Sequence, residues 1–187
     1  MPELDLYCWK LDISQIKKDC YYFQMDIVLA VPSENDVLQQ YESYRGDGDG
    51  EPGSPIIPFD QLSTEEQNKK TQAYKIFIKS VRIQGQGVGW VSIIDKEDKE
   101  TINLGFGLFK KHRGQGLMAK IIPVAVSYIM KNCSQKPITS GARVQNFAAN
   151  ISLEKAGFIF IKNSFMTDPA GSDEVFEYKT YKYPHWP

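Results

Sequence analysis

What this sequence has little of narrows its function before any motif is found. Its three cysteines, Cys8, Cys20 and Cys133, are odd in number and lack metal-ligand spacing. A disulfide framework and a metal site are therefore not expected, and all three are read as reduced, buried thiols. Net charge is almost absent too, since 22 basic residues face 23 acidic ones. No whole-molecule field gathers nucleic acid or an anionic membrane, so any partner must be selected locally. The first eleven residues contain no uninterrupted apolar run, because Glu3, Asp5 and Lys10 interrupt them. Neither a signal peptide nor a membrane span is expected there, and cytoplasmic residence is. No internal repeat is visible. A chain of 187 residues holds one self-stabilising core, so residues 1–187 are expected to form a single domain.

What is there alternates between strand and helix patterns. Residues 4–11 and Tyr21 to Val31 read as strands, the second ended by Pro32. Ser33, with Asp36 three residues on, predicts a helix to Tyr44. Arg45 to Pro58 is rich in glycine, proline and acids and reads as a flexible surface loop. Ser63 and Glu66 then restart a helix. Strands are predicted at Tyr74 to Val81, Val88 to Ile94 and Thr101 to Leu108, as an antiparallel meander with turns at Gly85-Gln86-Gly87 and Lys96 to Lys99. Leu117, Ile121, Ala125, Tyr128 and Ile129 fall on one helical face, and Pro123 is expected to kink that helix. A strand at Ile138 to Val144, a helix from Phe147 to Ala156, and strands at Phe158 to Phe165 and Val175 to Tyr183 complete the pattern.

The most informative stretch runs from Asn103 to Ala119: a strand, a basic turn carrying Gly114 and Gly116, then an amphipathic helix. The first amides of a helix lack intrahelical partners and sit at the positive end of its dipole, while glycines let the backbone approach an anion closely. Such a turn can hold a diphosphate, with Lys110, Lys111 and Arg113 adding charge. It can equally be a plain strand-to-helix connection with solvated lysines. A nucleoside-triphosphate loop is excluded because Gly116-Leu-Met replaces its Gly-Lys-Ser/Thr. A dinucleotide fingerprint starting at Gly105 meets Lys110 where its third glycine belongs.

Two segments carry a resemblance. Arg113-Gly-Gln-Gly116-Leu117 matches Arg/Gln-x-x-Gly-x-Gly/Ala up to its last position, where Met118 stands in place of the small residue, and Asn146-Phe-Ala-Ala149 through Glu154-Lys155-Ala-Gly157-Phe158 matches Asn-x-x-Ser/Ala followed by Glu-Lys-x-Gly-Phe. In this order and at this separation the chain resembles the GNAT acetyltransferases over roughly residues 88 to 165. With Gly89-Trp90-Val-Ser-Ile ahead of them, the segments look most like the branch acting on ribosomal-protein N-termini and related small amines.

The resemblance implies a mixed α/β (α+β) fold: a mostly antiparallel sheet of six to seven strands, flanked by helices and splayed between its two central strands. It implies acetyl-CoA or another acyl-CoA as cofactor and an amine acceptor, either a small molecule or a peptide or protein N-terminus. Phe106 and Leu108 would offer backbone groups to the pantetheine arm. Arg113, Gly114, Gln115, Gly116, Leu117 and Met118 would hold the diphosphate, and Asn146 and Lys155 would approach the cofactor. Asn103 stands where the family often has a glutamate base, and Leu153 where it often has a tyrosine acid. Asn103 and Ser152 are the catalytic candidates, with Glu100, Glu154, His112 and Tyr128 as further titratable or hydroxyl groups. Loops carrying Asp47, Asp49, Glu51, Asp168, Asp173 and Glu174 would line the acceptor side. The closing Tyr178, Tyr181, Tyr183, His185 and Trp186 are read as cover for a sheet face or a homodimer seam, not as a nucleic-acid platform.

Overall fold

In the computed structural model, which describes residues 26–46, 61–68, 77–167 and 175–184, local sequence signals account for most element starts. Strand β1 (Ile27–Ala30) leads to helix α1 (Glu34–Gly46), and Ser33 and Asp36 set the join. Ser33 Oγ accepts from the Asp36 amide at 3.2 Å, while the Asp36 carboxylate accepts from the Ser33 amide at 2.9 Å and from its hydroxyl at 2.8 Å. The reciprocal pair satisfies amides that a helix start leaves bare. Ser63 and Glu66 repeat the arrangement ahead of the helical residues 64–68. The strand expected at residues 4–11, the start of the one at Tyr21, and residues 47–58 of the expected loop lie outside the described residues.

Strands β2 (Ile78–Ile83), β3 (Gln86–Ile94) and β4 (Ile102–Leu108) form the expected antiparallel meander. The first turn is Gln84-Gly85, with φ of 50° and 78°, and Gly87 belongs to β3. Two consecutive positive φ values give a hairpin turn whose twist matches its strands, and Ile83 stands opposite Gln86 across it. That register keeps Val81, Val91, Ile93, Ile102 and Leu104 in the core; a one-residue slip would turn a strand's apolar set to the other face.

Helix α2 (Leu117–Asn132), strand β5 (Ile138–Arg143), helix α3 (Phe147–Lys155) and strands β6 (Ile159–Thr167) and β7 (Val175–Lys182) follow. The sheet order is β1-β2-β3-β4-β5-β7-β6, so the last strand in sequence is inserted between two earlier ones. Among the described residues only β4 and β5 pair in parallel. Helix α2 runs without a break through Pro123 and buries Leu117, Met118, Ile121, Ile122, Ala125, Val126 and Ile129. An interior proline costs about 3 kcal/mol, whereas each fully buried isoleucine contributes about 1.5–3 kcal/mol. Ile121, Ile122 and Ile129 are all wholly enclosed, so packing outweighs the proline. Cys133, just past α2, is a free thiol and only half-buried, with burial, then the nearby Asp95 carboxylate, raising its pKa. Cys8 and Cys20 lie outside the described residues.

Candidate functional site

The parallel seam is where the sheet opens. Strand β4 pairs with β5 over two positions, Ile102 opposite Ile138 and Asn103 opposite Thr139, and beyond them the two strands have no ladder. The Phe109 amide donates to Val88 O at 3.0 Å, so odd-numbered β4 residues direct their backbone groups towards β3. By the alternation of an antiparallel ladder, Leu104, Phe106 and Leu108 direct theirs towards β5. Three hydrogen bonds agree: the Ile102 amide to Pro137 O at 3.0 Å, Ser140 Oγ to Leu104 O at 2.7 Å, and Arg113 Nε to Leu108 O at 2.9 Å. Between the last two, Phe106 presents its amide and carbonyl to a gap with no β5 residue opposite.

The mouth of this fork lies at the carboxyl ends of β4 and β5, where the following helices begin, and in open sheets that is where ligands bind. The α2 N-cap is Gly116 in the left-handed region, with no side-chain hydrogen bond and no acidic residue in the first turn. The amides of that turn are therefore open to an anion. Gly114 and Gly116, at φ of 75° and 68°, have no heavy atom within 4 Å of where a Cβ would stand. Lys110 and Lys111 are exposed in a 3-10 turn (Lys110–His112) just ahead. Gln115 donates to Lys111 O at 3.3 Å, which tightens the turn. Leu117 and Met118 place their side chains in the core, so the long Met118 does not crowd the loop and only its backbone faces the mouth.

Asn146 caps α3 by accepting from the Ala149 amide at 3.1 Å. It stands at the mouth, whereas Lys155 is exposed in the last turn of the same helix, at the closed end. The structure does not bring these two together. Asn103 is exposed at the last paired position of β4. Ser152 donates its hydroxyl to Ala148 O at 2.7 Å, within its own helix, and no described contact brings it to β4. Leu153 is fully buried and supplies no proton. His112 is half-buried with Nε2 enclosed, Glu100 is exposed on the approach to β4, and Glu154 accepts from Tyr181. The acidic acceptor-side residues 47, 49, 51, 168, 173 and 174 lie outside the described residues, as do His185 and Trp186.

Three features escaped the sequence reading. Ser140 is buried in the fork, and a lone serine in a strand carries no signal. Asn150 is buried in α3 and donates to the carbonyls of Arg143, Val144 and Asn146 at 3.0, 3.3 and 2.9 Å. The signal that could have found it is an amide between the apolar positions Ala149 and Leu153. Across the sheet, Trp90 lies over Gly107, where a Cβ would come within 2.7 Å of the indole. Only glycine fits beneath it.

Among the described residues no three His, Cys, Asp or Glu side chains group as metal ligands, and no helix is long and apolar enough to cross a membrane. The family model for the acetyltransferase (GNAT) domain matches residues 40–159. No curated protein matches the sequence. Several solved structures match the fold. The microcin C7 self-immunity acetyltransferase MccE, in complex with acetyl-CoA and AMP, aligns at a TM-score of 0.66 and 14% identity over 83% of this chain and 91% of that one. The ribosomal-protein-S5-alanine acetyltransferase of Vibrio fischeri aligns at 0.64 and 14% over 86% and 95%. The ribosomal L7/L12 alpha-N-protein acetyltransferase RimL, in complex with coenzyme A, aligns at 0.62 and 17% over 83% and 92%. At these identities the likeness shows the fold.

Proposed function

This chain belongs to the GNAT acetyltransferase family, and from that premise we propose that it is an N-acyltransferase using acetyl-CoA, with the primary amine of a peptide or protein N-terminus or of a small molecule as acceptor. The observation that carries the proposal is the β4–β5 fork opening onto the uncapped start of α2, with a second helix start beside it. The residues present fit the cofactor: open amides and glycines for a diphosphate, and an unpaired strand edge for an extended amide-containing arm. When bound, acetyl-CoA supplies an activated acyl carbonyl on a thiol leaving group.

The chain's own residues do the rest. The amides from Gly114 to Met118 hold the diphosphate, and Arg113, anchored through Nε on Leu108 O, adds positive charge. The Leu108 and Phe106 backbones would align the arm, and the Phe106 amide, which faces the gap, would hydrogen-bond the acyl carbonyl and stabilise the charge that develops on it. An amine with a pKa near 10.4 is neutral in about one molecule in a few thousand at pH 7. Asn103 cannot take its proton but can orient the amine or a water by hydrogen bonding. Acceleration then rests on orientation and polarisation, which together supply large factors.

Calorimetric titration of acetyl-CoA tests the site. Micromolar binding is expected, with loss of at least a hundredfold in Gly116→Asp and Arg113→Glu, each of which puts a carboxylate beside the diphosphate. A well-folded wild type that binds no CoA species would end the reading. Binding without release of free thiol across a panel of basic N-terminal peptides and polyamines would favour a non-catalytic acyl-CoA module, the reading to which the buried Leu153 points. The proposal extends to one domain, supported by seven strands sharing one sheet, and to residence in the cytoplasm, which fluorescent tagging tests. It also extends to self-association through edge strand β6, where Ile159, Ile161 and Phe165 are exposed; sedimentation at rising concentration tests it.

A further inference from the structure

The closed end of the fork is held by a bond that does not belong to the ladder. Leu104 O faces β5, where a continuing parallel ladder would give it a backbone amide. It receives the Ser140 hydroxyl at 2.7 Å instead, one position beyond the last strand pair. Ser140 is 2% exposed, and its Oγ lies between the strands just where they begin to part. Below it the seam is closed by the Ile102 amide on Pro137 O and by Thr139 Oγ1, which reaches Ile102 O at 3.4 Å.

This inference rests on the proposed use of acyl-CoA and concerns which acyl groups are accepted. With the diphosphate at the Gly114–Met118 mouth, the arm runs down the β4 edge and its acyl end leads. From Leu108 to Leu104 is four residue steps, about 13 Å of strand. From Phe106, whose amide faces the gap, to the Ser140–Leu104 bond is two steps, about 7 Å. We infer that the Ser140–Leu104 bridge is the end-stop of the acyl channel and restricts the donor to two- and three-carbon acyl groups. A four-carbon chain must displace a buried hydroxyl and leave a carbonyl unsatisfied, an outcome that sites with buried polar groups reject strongly.

The experiment measures calorimetric Kd and, with any amine found to turn over, kcat/KM for acetyl-, propionyl- and butyryl-CoA. Free CoA, which has no acyl group to meet the bridge, is the reference ligand for each protein. The wild type is expected to favour acetyl over butyryl at least a hundredfold in kcat/KM and at least tenfold in affinity. Ser140→Gly should narrow both gaps at least tenfold. Ser140→Thr, which adds a methyl at the closed end, should widen the gap between acetyl and propionyl and carries the test if the glycine variant fails to fold. Acetyl and butyryl accepted within threefold by the wild type, or ratios unmoved in folded variants, would overturn the end-stop while leaving the acyl-CoA site intact. Failure to bind free CoA as well as all three thioesters would overturn the parent reading and the end-stop with it.

Discussion

At the scale of single residues, Asn150 and Tyr181 tie the start of α3 to the sheet, beside the Asn146 cap. Asn150 gathers three carbonyls through Nδ2, and its Oδ1 accepts from the Tyr181 hydroxyl at 3.0 Å, with Glu154 Oε1 a second acceptor at 3.2 Å. Asn150→Ala leaves several buried groups unsatisfied and should cost about 1–3 kcal/mol in chemical denaturation. Burial, then the negative charge of Glu154 and its hydrogen bond, push the Tyr181 pKa up to about 12. The unfolded chain therefore loses this proton first, near pH 10, and the native state is favoured below that and progressively less as pH rises from about 10 to 12. Tyr181→Phe should flatten this alkaline limb in urea titrations; a limb of unchanged slope would place the stabilising bond elsewhere. The turn from Arg113 to Met118 was legible as a candidate because two glycines and a cation stand where a strand pattern gives way to a helix pattern. Asn150 and Ser140 were not, because burial decides their roles and burial is a property of the assembled sheet.

Among the elements, α1 shows where local reading stops. Its start was legible in Ser33 and Asp36, but the carboxylate also receives the Arg82 guanidinium at 2.6 Å from 46 residues away, a contact no spacing rule supplies. Burial raises the Asp36 pKa, yet the Ser33 hydrogen bonds and Arg82 outweigh it, and the net shift is downwards. A depressed folded-state pKa stabilises above the unfolded carboxyl range, near pH 4, and that contribution is lost as pH falls through the folded value. Asp36→Asn should remove this part of the acid transition and lower stability at pH 7 by about 1–2 kcal/mol, read from unfolding at pH 7 and pH 3. The β2–β3 turn differed from expectation for a related reason. Gly85-Gln86-Gly87 offers two glycines, but the register of the core strands selects Gln84-Gly85 and puts a non-glycine residue at positive φ.

At the scale of the described molecule, the two halves of the sheet meet through two ladder positions, the Ser140 bridge and the Thr139 hydroxyl on Ile102 O, backed by the packing of α2 against α3. A ligand that fills the fork adds contacts to both halves at once. Acetyl-CoA at about a hundred times its Kd should stabilise the native state by about 2.7 kcal/mol, which for a chain of this size is about 5–10 °C in Tm. Scanning fluorimetry should show that rise in the wild type and none in Gly116→Asp. The meander and the helix–strand alternation could be read ahead of the structure because each is local, whereas the insertion of β7 between β5 and β6 could not, since strand order depends on pairings across distant sequence.

That insertion also bears on how the chain is made. On the ribosome, residues appear at about 5–20 per second, and Val175 follows Arg143 by some two to six seconds at that pace. Late in that interval, from Thr167 on, β5 and β6 have both been synthesised while the strand that separates them has not. A nascent β5 therefore carries an open edge until β7 is made, and β6 has no neighbour of its own in the sheet before then.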